Sequence, residues 1–152
     1  GPHDDLVTSP PVIGVVQTLA EATDPINYAP YWSDRDPFWP TTPQSVLMTE
    51  GLDDAQTPPQ AAEALAAAGR LPLIAPAARV PMAHRLIGGG TDAAPVQRNQ
   101  TAWSGSRVTS GLAQYANEDH FVVFNRPEAA ALYQTFLYTA VEGYGPWIQE
   151  LE

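Results

Sequence analysis

The chain has 152 residues and a formal net charge of −10, with seven basic residues, all arginine, and no cysteine. That length suits one domain with a real core but is short for a complete α/β enzyme. The negative charge repels a phosphate backbone, so no nucleic acid is expected as a partner, and the missing thiols exclude disulfides, thiolate metal sites and a cysteine nucleophile.

No run of about 18 apolar residues occurs, so no membrane span is expected. The opening Gly1 to Asp5 lacks the basic and apolar blocks of a signal peptide, and Gly1-Pro2 reads as a cleavage scar or a processed end, either of which implies an encoded protein that begins earlier. An acidic chain without lysine or cysteine leans towards a secreted or periplasmic protein. Sixteen prolines in a chain that is 44% hydrophobic fit a folded domain with many fixed turns rather than disorder.

Residues 11–23 carry Val12, Val15, Val16 and Leu19 at helical spacing, and Asp24-Pro25 stops the run, which predicts a short helix. Between Tyr28 and Trp39 lie Tyr28, Tyr31, Trp32, Phe38 and Trp39, interleaved with prolines and without regular periodicity. This is read as an aromatic loop or lid, with satellite packing over the core and a substrate-facing surface as its two roles. Tyr31, Trp32 and Trp39 are the candidates for apolar substrate contacts.

Residues 45–50 form a short apolar run ended by Gly51, which predicts a buried strand. Asp53 and Asp54 follow, and Thr57 with Gln60 matches a capping box for a helix over 58–68 whose stripe is Ala61, Leu65 and Ala68 and whose stop is Gly69. Residues 70–107 are rich in Pro, Gly and Ala and are expected to form a long irregular excursion, with Leu71 to Ile74 as a short extended piece and Gly88-Gly89-Gly90 as a plain turn. A second strand is predicted from Arg107 to Ala116, leading through a turn to His120. Asn125, with Pro127 in the first turn, is expected to open a last helix with Ala129, Leu132, Tyr133, Phe136, Leu137, Ala140 and Val141 on its core face and Gly143 at its end. Strand, helix, long loop, strand, helix is the order of an α/β sheet with crossover helices.

Asp54 and His120 each follow a predicted strand, where α/β proteins place their ligands. A carboxylate there can accept the Nδ1 proton of a histidine, and an imidazole so oriented can take a proton from a serine and return it to a leaving group. Acid before histidine is the order found when the serine comes first. A turn acid and a surface histidine are the plain alternatives for the same residues. Catalytic metal is not expected, because His3, His84 and His120 are far apart and no His-Glu-x-x-His or cysteine cluster occurs, and no cofactor is implied.

The stretch from Val46 to Pro58 resembles the seventh-strand region of α/β-hydrolases, where a glycine is followed by the catalytic acid and then by a proline at the spacing of Gly51, Asp54 and Pro58. That register selects Asp54 over Asp53. The stretch from Gln114 to Val122 resembles the turn after the family's eighth strand and selects His120, with Asp119 standing where a glycine is common. The resemblance implies the C-terminal part of an α/β-hydrolase sheet, its last strands with crossover helices over residues 44–152, preceded by part of a cap or lid over residues 1–43. It also implies a serine esterase or lipase acting on carboxylic esters or related acyl compounds, from apolar small molecules to polymers.

No Gly-x-Ser-x-Gly elbow is present. Ser104, Ser106 and Ser110 all follow the acid and have no elbow context. The chain alone is therefore expected to be inactive, with the nucleophilic serine on a separate or cleaved N-terminal segment, and to be aggregated or tightly bound to that segment. A non-catalytic binding or structural α/β domain that uses its aromatic segment for a hydrophobic partner is the alternative.

Overall fold

The computed structural model describes residues 11–150, so His3 and Gly1-Pro2 lie outside the described residues. The helices are α1 (Pro11–Glu21), α2 (Pro59–Ala68), α3 (Met82–Ile87), α4 (Val122–Asn125) and α5 (Pro127–Val141). The strands are β1 (Val46–Gly51), β2 (Leu73–Ala75), β3 (Thr91–Ala93), β4 (Val96–Gln97), β5 (Gln100–Thr101), β6 (Arg107–Val108), β7 (Ser110–Tyr115) and β8 (Trp147–Ile148). Four of them make a parallel sheet in the order β1-β7-β2-β3, which establishes a mixed α/β architecture. The short ribbons β4-β8 and β5-β6 are antiparallel.

A parallel sheet is stable where both faces are covered, and the alternation along these strands serves that need. On one face Val46, Met48, Leu73 and Leu112 pack with Ala66 of α2, Leu71 and Trp32. On the other, Leu47, Ile74, Ala113 and Tyr115 pack with Ala129, Leu132 and Phe136 of α5 and with Val96 and Ile148. β7 is buried along its whole length because it is interior to the sheet, whereas β1 is half-buried over most of its length and has no strand on its outer edge among the described residues. Truncating Leu132 to alanine is expected to cost about 2–5 kcal/mol in a denaturant titration, because the side chain is fully buried. Leu137→Ala, on the exposed side of the same helix, should stay within about 0.5 kcal/mol.

Several local expectations are corrected. Residues 70–107 are not one irregular excursion: they supply β2 and β3 to the sheet and also hold α3. Strands of two or three residues carry too little alternation to be read as a period. The strand expected from Arg107 to Ala116 is divided at Thr109, so that β6 pairs with β5 while β7 enters the main sheet. It ends at Tyr115, and His120 lies beyond it in the following turn.

The buried side of α2 consists of Pro59, Glu63, Ala66 and Ala67 rather than Ala61, Leu65 and Ala68. Alanines surround this helix, so the composition alone marks no single stripe. Asn125 does not cap α5, because it ends α4 and Arg126 occupies the cap position. Of the expected core face of α5, Ala129, Leu132 and Phe136 are buried while Leu137 and Val141 are exposed. On α1, Val15, Val16 and Leu19 are likewise exposed. Gly69 stops α2 and Gly88 stops α3, as expected of glycines after helices.

Candidate active site

β1 and β7 lie side by side in parallel, with Gly51 opposite Tyr115, so the turns that follow them emerge at the same end of the sheet. The first turn carries Asp54 and the second carries His120. They approach so closely at Gly51 that a Cβ there would overlap the backbone carbonyl oxygens of Glu118 and Asp119. The Leu52 N–H donates to the Tyr115 carbonyl at 3.0 Å and the Asp53 N–H to the Glu118 carbonyl at 2.9 Å, which joins the two turns through backbone alone.

His120 Nδ1 lies 2.9 Å from Asp54 Oδ2, a hydrogen bond between residues separated by 66 positions. The other carboxylate oxygen, Asp54 Oδ1, accepts the backbone N–H groups of Gln56 at 2.7 Å and Thr57 at 2.8 Å. Desolvation pushes the Asp54 carboxyl up, but the Thr57 N–H, the His120 hydrogen bond, the Gln56 N–H and the imidazole charge outweigh it and hold the carboxyl below its ordinary value. A carboxylate fixed at both oxygens in this way orients the imidazole with Nδ1–H towards the acid and Nε2 towards solvent. The His120 side chain is 41% exposed, and Nε2 has no hydrogen-bond partner among the described residues.

The second turn is built for rigidity. Asn117 adopts φ 58, a left-handed conformation that asparagine tolerates better than most residues. Asp119 Oδ1 accepts the Phe121 N–H at 2.8 Å, so the residue standing in place of the common glycine closes the turn with its side chain. Arg126 reaches Glu118 at 3.1 Å and lies 5.7 Å from the centre of the Tyr115 ring, which ties the turn to the head of α5. The Phe121 ring meets the imidazole edge-on at 5.2 Å. Thr57, expected as a helix cap, instead gives its N–H to Asp54, and Pro58 takes the cap position without a side-chain bond.

Asp54 and His120 are thus brought together, while Asp53 is exposed and engages only through its backbone. The dyad borders a cavity of about 170 Å³ that includes Glu50, Thr57, Val122 and Val123. Tyr31, Trp32 and Trp39 do not line it. Trp32 packs on the Leu71–Leu73–Leu112 core and over Gly69, whereas Tyr31 meets Trp39 at 5.4 Å and Phe38 at 6.4 Å in tilted ring contacts of a separate surface cluster. Ser104 and Ser106 bond to each other at 2.8 Å in an exposed turn, and Ser110 is buried within β7; none of the three lines the cavity. A larger hollow, about 650 Å³ between Pro127 and Trp147, is lined by Glu128 and Glu150 but by no histidine.

One element of the site is not legible as such in the sequence. Glu50 sits at the end of β1 with only 4% of its surface exposed, beside Gln114 on β7, whose Nε2 donates to Glu50 Oε1 at 2.7 Å. Gln114 in turn accepts the Arg79 N–H at 3.1 Å, and the Arg79 guanidinium pairs with the buried Glu63 of α2 at 2.6 Å. Glu50 Oε2 is buried with no partner. Burial pushes its carboxyl up to about 7, against the lowering effect of Gln114, with Glu63 raising it and Arg79 lowering it further. An acid interrupting the otherwise uncharged strand Val46 to Gly51 is the signal that marks it.

A carboxyl raised from 4.5 to about 7 contributes stability that is whole below pH 4.5 and is lost as the pH rises through 7, because the unfolded chain releases the proton first. Glu50→Gln, isosteric but unable to ionise, should match the parent near pH 4 and exceed its stability by about 1–3 kcal/mol at pH 8. Urea titrations at the two pH values measure this difference.

Among the described residues, no three His, Cys, Asp or Glu side chains group as a metal-binding set, and no helix is long and apolar enough to cross a membrane. No family model, no curated protein and no solved structure matches this chain.

Proposed function

We propose that this chain is the C-terminal part of a serine hydrolase acting on carboxylic esters or related acyl compounds, with its nucleophilic serine on a separate or preceding segment. The observation that carries the reading is the hydrogen bond from His120 Nδ1 to Asp54 Oδ2 at 2.9 Å, which leaves Nε2 outward and accessible. In this mechanism the serine Oγ attacks the acyl carbon as Nε2 removes its proton, and the tetrahedral adduct collapses as His120 protonates the departing alkoxide. Water then attacks the acyl-enzyme, again losing a proton to Nε2, and the serine leaves protonated with release of the carboxylic acid. Asp54 keeps Nδ1 protonated throughout and stabilises the imidazolium. The outer edge of β1, unpaired among the described residues, and the exposed Phe124, Leu137 and Val141 would supply backbone groups and apolar surface for the complementary segment.

The test begins with protein purified from its native source, asking by intact mass whether a segment with a Gly-x-Ser-x-Gly elbow is continuous with this chain or accompanies it. A fluorophosphonate probe is expected to label that serine, and His120→Gln to abolish labelling. Undiminished labelling of the variant, or the lack of any such segment, rejects the reading.

A non-catalytic binding domain is favoured by one observation, the surface cluster of Tyr31, Phe38 and Trp39, with Phe38 93% exposed. It predicts a segment-free chain that melts cooperatively and carries no reactive serine.

A further inference from the structure

Glu50 and the Asp54–His120 pair border one small cavity, yet nothing in the proposed reaction uses Glu50. Its surroundings are specific. The carboxyl is held by Gln114 from β7 through Oε1, and its second oxygen is sealed from solvent without a donor. The charged groups near it are Glu63 from α2 and Arg79 from the segment before α3, which neutralise each other at 2.6 Å, leaving Asp54 and His120 as the remaining charge-bearing groups on the cavity. A full negative charge on an oxygen with no donor is unfavourable in such a place, whereas the neutral acid is compatible with it.

We propose that Glu50 is a positioning residue for the dyad, held as the neutral acid so that Asp54 is the only anion acting on His120. With Glu50 protonated, Asp54 is the one carboxylate beside the imidazole. With Glu50 ionised, a second negative charge enters the shared cavity and favours the imidazolium over the neutral ring. The raised proton affinity of the buried carboxyl, close to neutrality, places this change within the working range of a histidine. The catalytic consequence rests on the hydrolase reading; the coupling between the two groups does not.

The experiment is a titration of the histidine Cε1 resonances of the 13C-histidine-labelled protein, with any accompanying segment left bound and His120 assigned by its disappearance in His120→Gln. Glu50→Gln is expected to lower the His120 midpoint by about half a pH unit or more, a threefold loss of proton affinity. Glu142→Gln, which removes an exposed carboxyl beyond α5, should leave the midpoint in place. A midpoint in Glu50→Gln identical to that of the parent overturns the proposal. Should that variant not fold, the 13Cδ resonances of glutamate in the parent decide the matter: one carboxyl is expected to titrate near neutrality with a midpoint that moves in His120→Gln. The absence of any glutamate titrating above pH 6, or a midpoint that ignores His120, overturns it equally. Both readouts are independent of turnover, so a failure of the hydrolase reading in the labelling test leaves them intact.

Discussion

On the proposed hydrolase reading, Asp54→Asn is expected to lower kcat/KM for a p-nitrophenyl ester by about 10⁴-fold in the protein with its serine-bearing segment, with little change in folding. The reason lies in how the carboxylate is held. Asp54 Oδ1 already accepts two N–H groups, from Gln56 and Thr57. An asparagine must keep its carbonyl oxygen on those donors, since an NH₂ group there would face them donor to donor. Its Nδ2 is then turned towards His120 Nδ1, which becomes the acceptor, and the ring proton moves to Nε2. That tautomer cannot take a proton from a serine. Asp53→Asn should change the rate less than twofold, because Asp53 is exposed and bonds only through its backbone N–H. An Asp54→Asn enzyme within tenfold of the parent removes Asp54 from the mechanism.

Gly51→Ala is expected to be the most disruptive single methyl in the molecule. The atoms an added Cβ would meet are the carbonyl oxygens of Glu118 and Asp119, which belong to backbone and cannot rotate aside. The turn before His120 must move away from β1, which breaks the Asp53 to Glu118 bond and draws His120 from Asp54. A loss of about 3–5 kcal/mol in urea titration is expected and, on the proposed hydrolase reading, a rate reduced at least about 100-fold. Gly14→Ala provides the contrast. Nothing lies within 4 Å of a Cβ there, in α1, so that variant should be neutral or more stable by up to about 1 kcal/mol. Equal melting of Gly51→Ala and the parent would show that the two turns are not in register as described.

The parts of this architecture that were legible in the sequence share a physical cause. β1 shows as an apolar run of strand length ended by Gly51, and α5 is long enough for its three-four spacing to repeat before Gly143. The choice of Asp54 over Asp53 came from the resemblance of the Gly51, Asp54 and Pro58 register to that of α/β-hydrolases, and Asp54 is the carboxylate that meets the imidazole. What was not legible depends on contacts between distant segments. β2 enters the sheet through Leu73 opposite Leu112, a pairing that three residues cannot announce on their own. Glu63 turns inward because Arg79, sixteen positions later, is there to receive it. Thr57 looks like a cap by local pattern, but α2 starts one residue later, with Pro58 at the cap position, and the Thr57 N–H closes the preceding turn onto Asp54. Glu50 is readable as an oddity in an apolar strand; that its neighbour is Gln114 is a matter of register.

The strand order β1-β7-β2-β3 also has a temporal meaning. β1 and β2 are separated in the sheet by a strand that emerges from the ribosome only after both, so neither gains its central neighbour until residue 115 has been synthesised. Until then their hydrogen-bonding edges and the apolar sides of Val46, Met48 and Leu73 face water. Insertion of β7 closes both gaps at once and, in the same step, carries the following turn to the first one. Loop-closure entropy must be met before these distant pairings form, so the pairing of β7 is expected to come late in folding. The Asp54–His120 hydrogen bond therefore forms only once β7 lies beside β1, and a chain in which that pairing fails lacks both the central strand and the pair.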